Sequence, residues 1–358
     1  MKPEQEENFN NLPVYLHNLR QINPHTHTHI KTDLMDRFQS CFLAIRWVVH
    51  AFINFFFPVI FIGSVHHRGN YLKTMFVAVA KDGNKLTFPI AFGMVVENNL
   101  VSCSWFLMRL KESVGQGREV PFISNMDDVV SSCVDNVFTN SYHGYTFKSF
   151  NKYLRTRVGS GRSLETLFWI TSKSYTMSIF EQNVFRLSHD ACDVLTNIEP
   201  ISLSFVGMYS TWKFLNIFQY NRLINVMEFD YCTNTVCSNG ASKKDAKVCW
   251  LASNTNPQQI SSSLLTYVYL VFDFKTTCVL DLNDHTCSCG KWHSLDITCC
   301  HVITAARHSN MHELVDAVQV YYHADVFQLV YQTQTVHPLP PPSEWEIPDP
   351  LMVVLLPM

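Results

Sequence analysis

The chain has 358 residues, enough for two domains, and its 47% hydrophobic against 16% charged residues exclude an intrinsically disordered protein. A net charge of -3 excludes a global electrostatic pull toward nucleic acid or acidic lipid, so any such contact must be local. Twelve cysteines behind an acidic, polar start (MKPEQEENFNN) with no secretory leader fit a reducing compartment, where thiols stay free or bind metal and disulfides are not expected.

In chain order, the first forty residues are polar, and NPHTHTHIK at 23–31 places His25, His27 and His29 on one face of an extended strand. A weak metal patch is conceivable there, but chance alternation on a solvated strand is the preferred reading. The apolar run CFLAIRWVVHAFINFFFPVIFIG, 41–63, is long enough to raise a membrane span. Arg46, His50, Asn54 and Pro58 interrupt it, which favours a buried helix followed by a buried strand.

PVIFIGS, YLKTMFVAVAKDG and LTFPIAFGMVV then read as three buried strands of an antiparallel meander, with Asp82-Gly83 turning between the second and third. A helix is predicted from Ser104 through Glu112, stopped by Gly115 and Gly117, and VPFIS reads as a fourth strand. Residues 162–198 carry apolar positions at helical spacing and predict two or three helices, 250–263 reads as a polar linker, and HPLPPPSEWEIPDP as an extended, loosely packed tail.

The stretch CSCGKWHSLDITCCH, 287–301, holds four cysteines and two histidines in fifteen positions. Cys287 and Cys289, one residue apart, leave one side of an extended strand. Nine residues allow a reversal, and Cys299 and His301 supply a second pair just before the short helix HVITAARHS. Three thiolates and one imidazole suit a single structural Zn²⁺ in a closed tetrahedral shell. So small a unit cannot bury much of a core, so its folding would lean on the metal for on the order of 10 kcal/mol. Cys300 competes with Cys299 as ligand, His293 lies mid-loop, and buried thiols without metal are the bland alternative.

This spacing resembles the SWIM-type zinc finger. With that motif in view, the blocks NLPVYLHNLRQINP, PVIFIGSVHHRGNY, TMFVAVAKDGNKLTFPIAFGMV, SWFLMRLKES, FISN and LFWITSKSYTMSIF resemble, in order, the Mutator-like element transposases that usually carry the finger. The resemblance implies a ribonuclease-H-like core that cuts DNA with two metal ions held by two aspartates and a glutamate. The chain departs from that pattern. Ile62 stands where the first aspartate is implied, Asn125 where the second is, with Asp127 and Asp128 just beyond, and Phe218 where the glutamate is. Thr146 and Ser149 replace an implied Cys and His. Isoleucine and phenylalanine cannot ligate a hard cation, and rescue by Asp82 or Asp127 is the weaker reading. The upstream DNA-binding region of full-length members is expected to end before this chain begins.

The resulting expectation is an α/β protein: a ribonuclease-H-like mixed sheet with a helical insertion, followed by a small zinc-stabilised ββα finger. Its expected domains are an N-terminal segment preceding the core (1–57), a degenerate transposase domain (58–249), a linker and lead-in strand (250–275), the finger (276–312) and a proline-rich tail (313–358). Cys287, Cys289, Cys299 and His301 are the expected zinc ligands, and no catalytic residue is expected. The finger is expected to contact DNA or protein, with no small-molecule substrate and no membrane partner. A nuclear location follows from the resemblance alone, since SKKDAK at 242–247 is too mixed in charge to be a signal. The alternatives are an active transposase with unusual ligands and a mobile-element relic.

Overall fold

The computed structural model describes residues 3–66, 74–83, 86–115, 120–139, 141, 143–159, 162–171, 177–187, 256–259, 267–273, 276–292, 298–308, 324–333 and 336–348. The chain divides into two compact units, Met1–His143 with Leu329–Met358, and Gly144–Gln328.

The first unit is built on a mixed sheet. Its chain order runs α1 (Pro3–Ile22), β1 (His27–Thr32), β2 (Phe38–Ala44), α2 (Arg46–Phe55), β3 (Ile60–His66), β4 (Thr74–Lys81), β5 (Thr87–Val95), α3 (Leu100–Val114), β6 (Phe122–Ser124), α4 (Asp128–Val137) and β7 (His143–Tyr145). The strands lie in the order β1-β2-β5-β4-β3-β6-β7. β3, β4 and β5 form the expected antiparallel meander, and β6 joins β3 in parallel, Ile62 beside Ser124. A parallel pair cannot be closed by a tight turn, and here the chain returns through β4, β5 and α3.

Side-chain chemistry explains these elements. β4 alternates buried and half-buried positions, the period of a strand with one face on the core. Its buried Phe76 stacks on Phe106 of α3 at 5.5 Å, and Phe42 of β2 meets the same ring at 5.8 Å. α3 starts earlier than the apolar period suggests because the Asn99 side chain accepts from Ser102 N at 2.9 Å and caps it. It stops at Gly115, whose φ of +96° few other residues tolerate.

Two expectations about layout differ from what is observed. Residues 1–57, expected to precede the core, supply β1, β2 and α2, because Phe38, Cys41, Phe42 and Ala44 bury their side chains and β2 pairs with β5. The tail is more tied down than expected. Asn18 of α1 donates Nδ2 to Glu346 O at 2.8 Å and accepts from Glu346 N at 2.9 Å, and Asn23 grips His337 the same way at 3.0 and 2.9 Å. α9 (Ala324–Thr333) ends within this unit and is not a loose appendage: its Tyr331 hydroxyl donates to Asp82 Oδ2 at 2.7 Å. The apolar run 41–63 is divided among the end of β2, α2 and most of β3, and among the described residues no helix is long and apolar enough to cross a membrane.

The second unit contains α5 (Phe147–Val158), α6 (Arg162–Thr171) and α7 (Met177–Val184), then a four-stranded sheet and α8 (Cys300–His308). Its strands β8 (Asn256–Gln259), β9 (Val268–Phe272), β10 (Thr277–Asp281) and β11 (Thr286–Cys287) are antiparallel neighbours in the order β11-β10-β9-β8. The expected ββα finger is therefore larger, and its sheet reaches back into the 250–275 segment read as linker and lead-in. Helices predicted over 162–198 are present as α6 and α7, while residues 188–198, the helical insertion and Phe218 lie outside the described residues.

The carboxylates weighed as substitutes for lost metal ligands have structural partners. Asp127 caps α4, accepting from Val129 N at 2.9 Å and Val130 N at 3.3 Å. Asp127→Ala is expected to lower the unfolding free energy by about 1 kcal/mol in urea titrations. Asp82 is buried and takes Leu86 N at 2.7 Å on one oxygen and Tyr331 on the other. Burial and that carboxylate push the Tyr331 phenol above its ordinary value. Thr146 and Ser149 bond each other as the cap of α5.

Candidate metal centre

The cluster is assembled by two local devices, one on each side of the finger. β11 delivers Cys287, paired to Leu280 of β10. Cys289 was expected on the same extended strand, but it sits in a turn: Gly290 N donates to Cys287 O at 2.9 Å, with Gly290 at φ +74°. The curled backbone, not strand alternation, turns both sulfurs to one point. On the other side, Cys299 immediately precedes α8, its carbonyl accepting from Ile303 N at 3.1 Å, and His301 lies in the first turn of α8. The positive end of that helix dipole favours a thiolate at Cys299.

One ligand atom from each of Cys287, Cys289, Cys299 and His301 lies within 4.8 Å of all the others. His301 Nδ1 is 3.6 Å from both the Cys287 and Cys299 sulfurs. Zinc bonds of about 2.3 Å to sulfur and about 2.0 Å to nitrogen, at tetrahedral angles, require a sulfur–nitrogen edge of about 3.5 Å. The donor set therefore fits zinc in both chemistry and size. Cys300, weighed against Cys299, does not belong to the cluster, and His293 lies outside the described residues.

Electrostatics in the cluster show why it calls for a cation. The Cys287 and Cys299 thiols donate to Cys289 and hold it well below the usual thiol range, while Cys287 is raised by Cys289 and Cys299 is raised by its burial. Burial pulls His301 down, but Cys287 and Cys289 outweigh it and hold the imidazole well above its ordinary value. A dication would let all three sulfurs ionise together.

Sequence reasoning missed Asp273. It sits between β9 and β10, where its Oδ1 accepts from Thr276 N at 2.8 Å, and its Oδ2 stands 3.4 Å from His301 Nε2. That distance permits charge attraction, though Nε2 is not aligned for a hydrogen bond. A carboxylate behind a ligating imidazole fixes the tautomer that leaves Nδ1 for the metal. Asp273→Asn is expected to weaken zinc binding about tenfold or more in competition with a chromophoric chelator, with the finger still folded at saturating zinc. The only forewarning in the sequence is Asp273 with Thr276 three residues on, a turn signal with no hint of its partner.

The finger's core closes around the site. Tyr269, Val271, Leu280, Leu282, Trp292, Val302 and Ala305 pack with the buried Cys287 and Cys299. By contrast, the histidines of β1 form no such group: His27 and His29 are half-buried, and burial lowers both below the ordinary imidazole value. No curated protein matches the chain. Residues 268–310 match the SWIM zinc finger, so the chain carries a SWIM zinc finger domain that brackets β9, β10, β11 and α8 and contains all four residues of the cluster.

Proposed function

We propose that this chain is a zinc-binding, transposase-derived protein without phosphoryl-transfer activity, whose SWIM finger docks a macromolecular partner. The observation that carries the reading is the convergent Cys₃His set beside a sheet whose implied metal positions hold Ile62 and an exposed Asn125. The meander β3-β4-β5, the return through α3 and the parallel β6 agree with the ribonuclease-H-like arrangement that the resemblance implies. Asp82 and Asp127 are engaged in a turn and a helix cap, which speaks against their serving as substitutes. One structural zinc, held by Cys287, Cys289, Cys299 and His301, completes the proposal.

The outer face of the finger's sheet favours protein over nucleic acid as the partner. Leu270 and Val279 are cross-strand neighbours there, and Phe272 lies on the same face, with Phe272 and Val279 about half exposed. An apolar face of this kind suits protein contact, whereas phosphate contact calls for clustered lysine and arginine. A nuclear location is part of the proposal and rests on the transposase resemblance; imaging a fluorescent fusion tests it.

Incubating purified protein with supercoiled DNA and Mg²⁺ or Mn²⁺ is expected to leave the DNA uncut. Metal-dependent nicking that disappears in Asp82→Asn or Asp127→Asn would establish an active transposase with unusual ligands instead.

A further inference from the structure

The segment VHPLPPP, 336–342, belongs to no strand and takes no part in the zinc centre, and its conformation is set by its own composition. Pro338, Pro340, Pro341 and Pro342 fix φ near about −65°, while His337, Leu339, Pro340 and Pro341, each followed by a proline, are steered to extended backbone. Pro341 shows the outcome, with φ −54° and ψ 148°, the values of a polyproline II residue. That helix has three residues per turn, so Pro338 and Pro341 lie on one edge, about 9 Å apart. Both are exposed, whereas Leu339 and Pro340 between them are half-buried. One edge of the polyproline helix therefore faces outward.

The segment is held at both ends. Asn23 binds the N–H and the carbonyl of His337. Trp345 Nε1 donates to Pro340 O at 2.9 Å, and the Trp345 ring meets Tyr15 of α1 edge-on at 5.8 Å. Past Pro341 the chain curls into a 3-10 turn, Pro342–Glu344, with Glu344 N donating to Pro341 O at 2.9 Å. Between these clamps the backbone is an acceptor: its prolines have no N–H, and among the described residues nothing donates to the carbonyls of Pro338 and Leu339. The charge beside it has one sign. Glu344 and Glu346 are exposed, and no lysine or arginine follows Arg307 in the sequence.

We propose that this segment is the docking ligand for a protein module with an aromatic-lined polyproline groove and basic residues at one end of it. His337-Pro338 and Pro340-Pro341 fill the slots between the aromatic rings, hydroxyl or indole donors of the groove reach the carbonyls of Pro338 and Leu339, and the basic rim meets Glu344 and Glu346. Such grooves gain from a ligand already in the bound conformation, and the clamps at His337 and Pro340 remove part of the ordering cost. The proposal is independent of the finger, whose sheet lies in the other unit.

Calorimetric titration of the full chain with a purified WW domain tests this, using a domain with two lysines beside its groove and the same domain with both changed to glutamate. Saturable one-to-one binding below about 1 mM is expected for the lysine form, at least about fivefold weaker for the glutamate form and weakened by added salt. Pro338→Ala combined with Pro341→Ala, both at exposed positions, is expected to weaken binding about tenfold or more with zinc content unchanged. Should that variant lose its fold, Glu344→Gln with Glu346→Gln alters only exposed side chains and is expected to weaken the lysine form about fivefold while leaving the glutamate form no weaker. Val279→Ser, on the finger's sheet, is the control and should leave the affinity unchanged. No saturation by about 1 mM, equal binding of the two forms of the domain, or an affinity that falls in Val279→Ser but not in the proline variant would each overturn the proposal.

Discussion

Cys299→Ser is expected to strip one zinc per chain and unfold the finger while the first unit keeps its fold. Cys299 is both a cluster member and a packed core residue, in contact with the group that includes Tyr269, Leu280, Trp292 and Val302. That core is small, and β11 contributes only Thr286–Cys287 to the sheet. Comparable zinc-dependent modules draw about 10–16 kcal/mol from the metal, more than so small an apolar core supplies. Metal analysis of purified protein gives the stoichiometry. Amide spectra should lose the dispersed signals of β9, β10 and α8 and keep those of β3, β4 and β5. Cys300→Ser is the control and should retain its zinc. Acidification should act in the same direction as the mutation: the three thiolates must take up protons when zinc leaves, so affinity falls as pH falls. A Cys299→Ser protein that keeps a full equivalent of zinc would exclude this ligand set.

The second large effect is expected at Gly93. On β5 it faces its direct register partners, Phe76 of β4 on one side and Phe42 of β2 on the other. The Phe106 ring, fully buried, lies over it, so that a Cβ added at Gly93 would run into the ring edge. Phe106 has nowhere to go, being held between Phe76 and Phe42. Gly93→Ala should therefore cost about 1–3 kcal/mol, read from urea unfolding, as overpacking does elsewhere. Phe106→Leu alone opens a void and also destabilises. Combined with Gly93→Ala, it makes room for the new methyl, so the double mutant should be more stable than the sum of the singles predicts. Strict additivity would mean that ring and glycine do not meet.

What could be read from the chain alone follows from how local each signal is. The meander was legible because β3, β4 and β5 are dense in β-branched and aromatic residues and Asp82-Gly83 marks a turn. The four residues of the cluster were legible because they fall within fifteen positions, although the reason for their convergence was a turn at Gly290 rather than an extended strand. β1 was not recognised as part of the sheet, since HTHIKT is polar and none of its side chains is fully buried. Its place comes from pairing with β2, which no local pattern announces. Asp273 lies 28 positions before His301. Groups so far apart in the chain meet only through the tertiary fold.

Asn18 of α1 and Asn23 just past its end have a consequence for biosynthesis. The backbone that Asn18 clasps at Glu346 follows it out of the ribosome 328 residues later. At about 5–20 residues per second, translation alone separates them by on the order of tens of seconds. Through that interval the two side-chain amides can donate within their own segment, to Val14 O and Leu19 O, but their bonds to Glu346 and His337 cannot form. Chains cut short before His337 would lack the four hydrogen bonds by which both asparagines hold the tail.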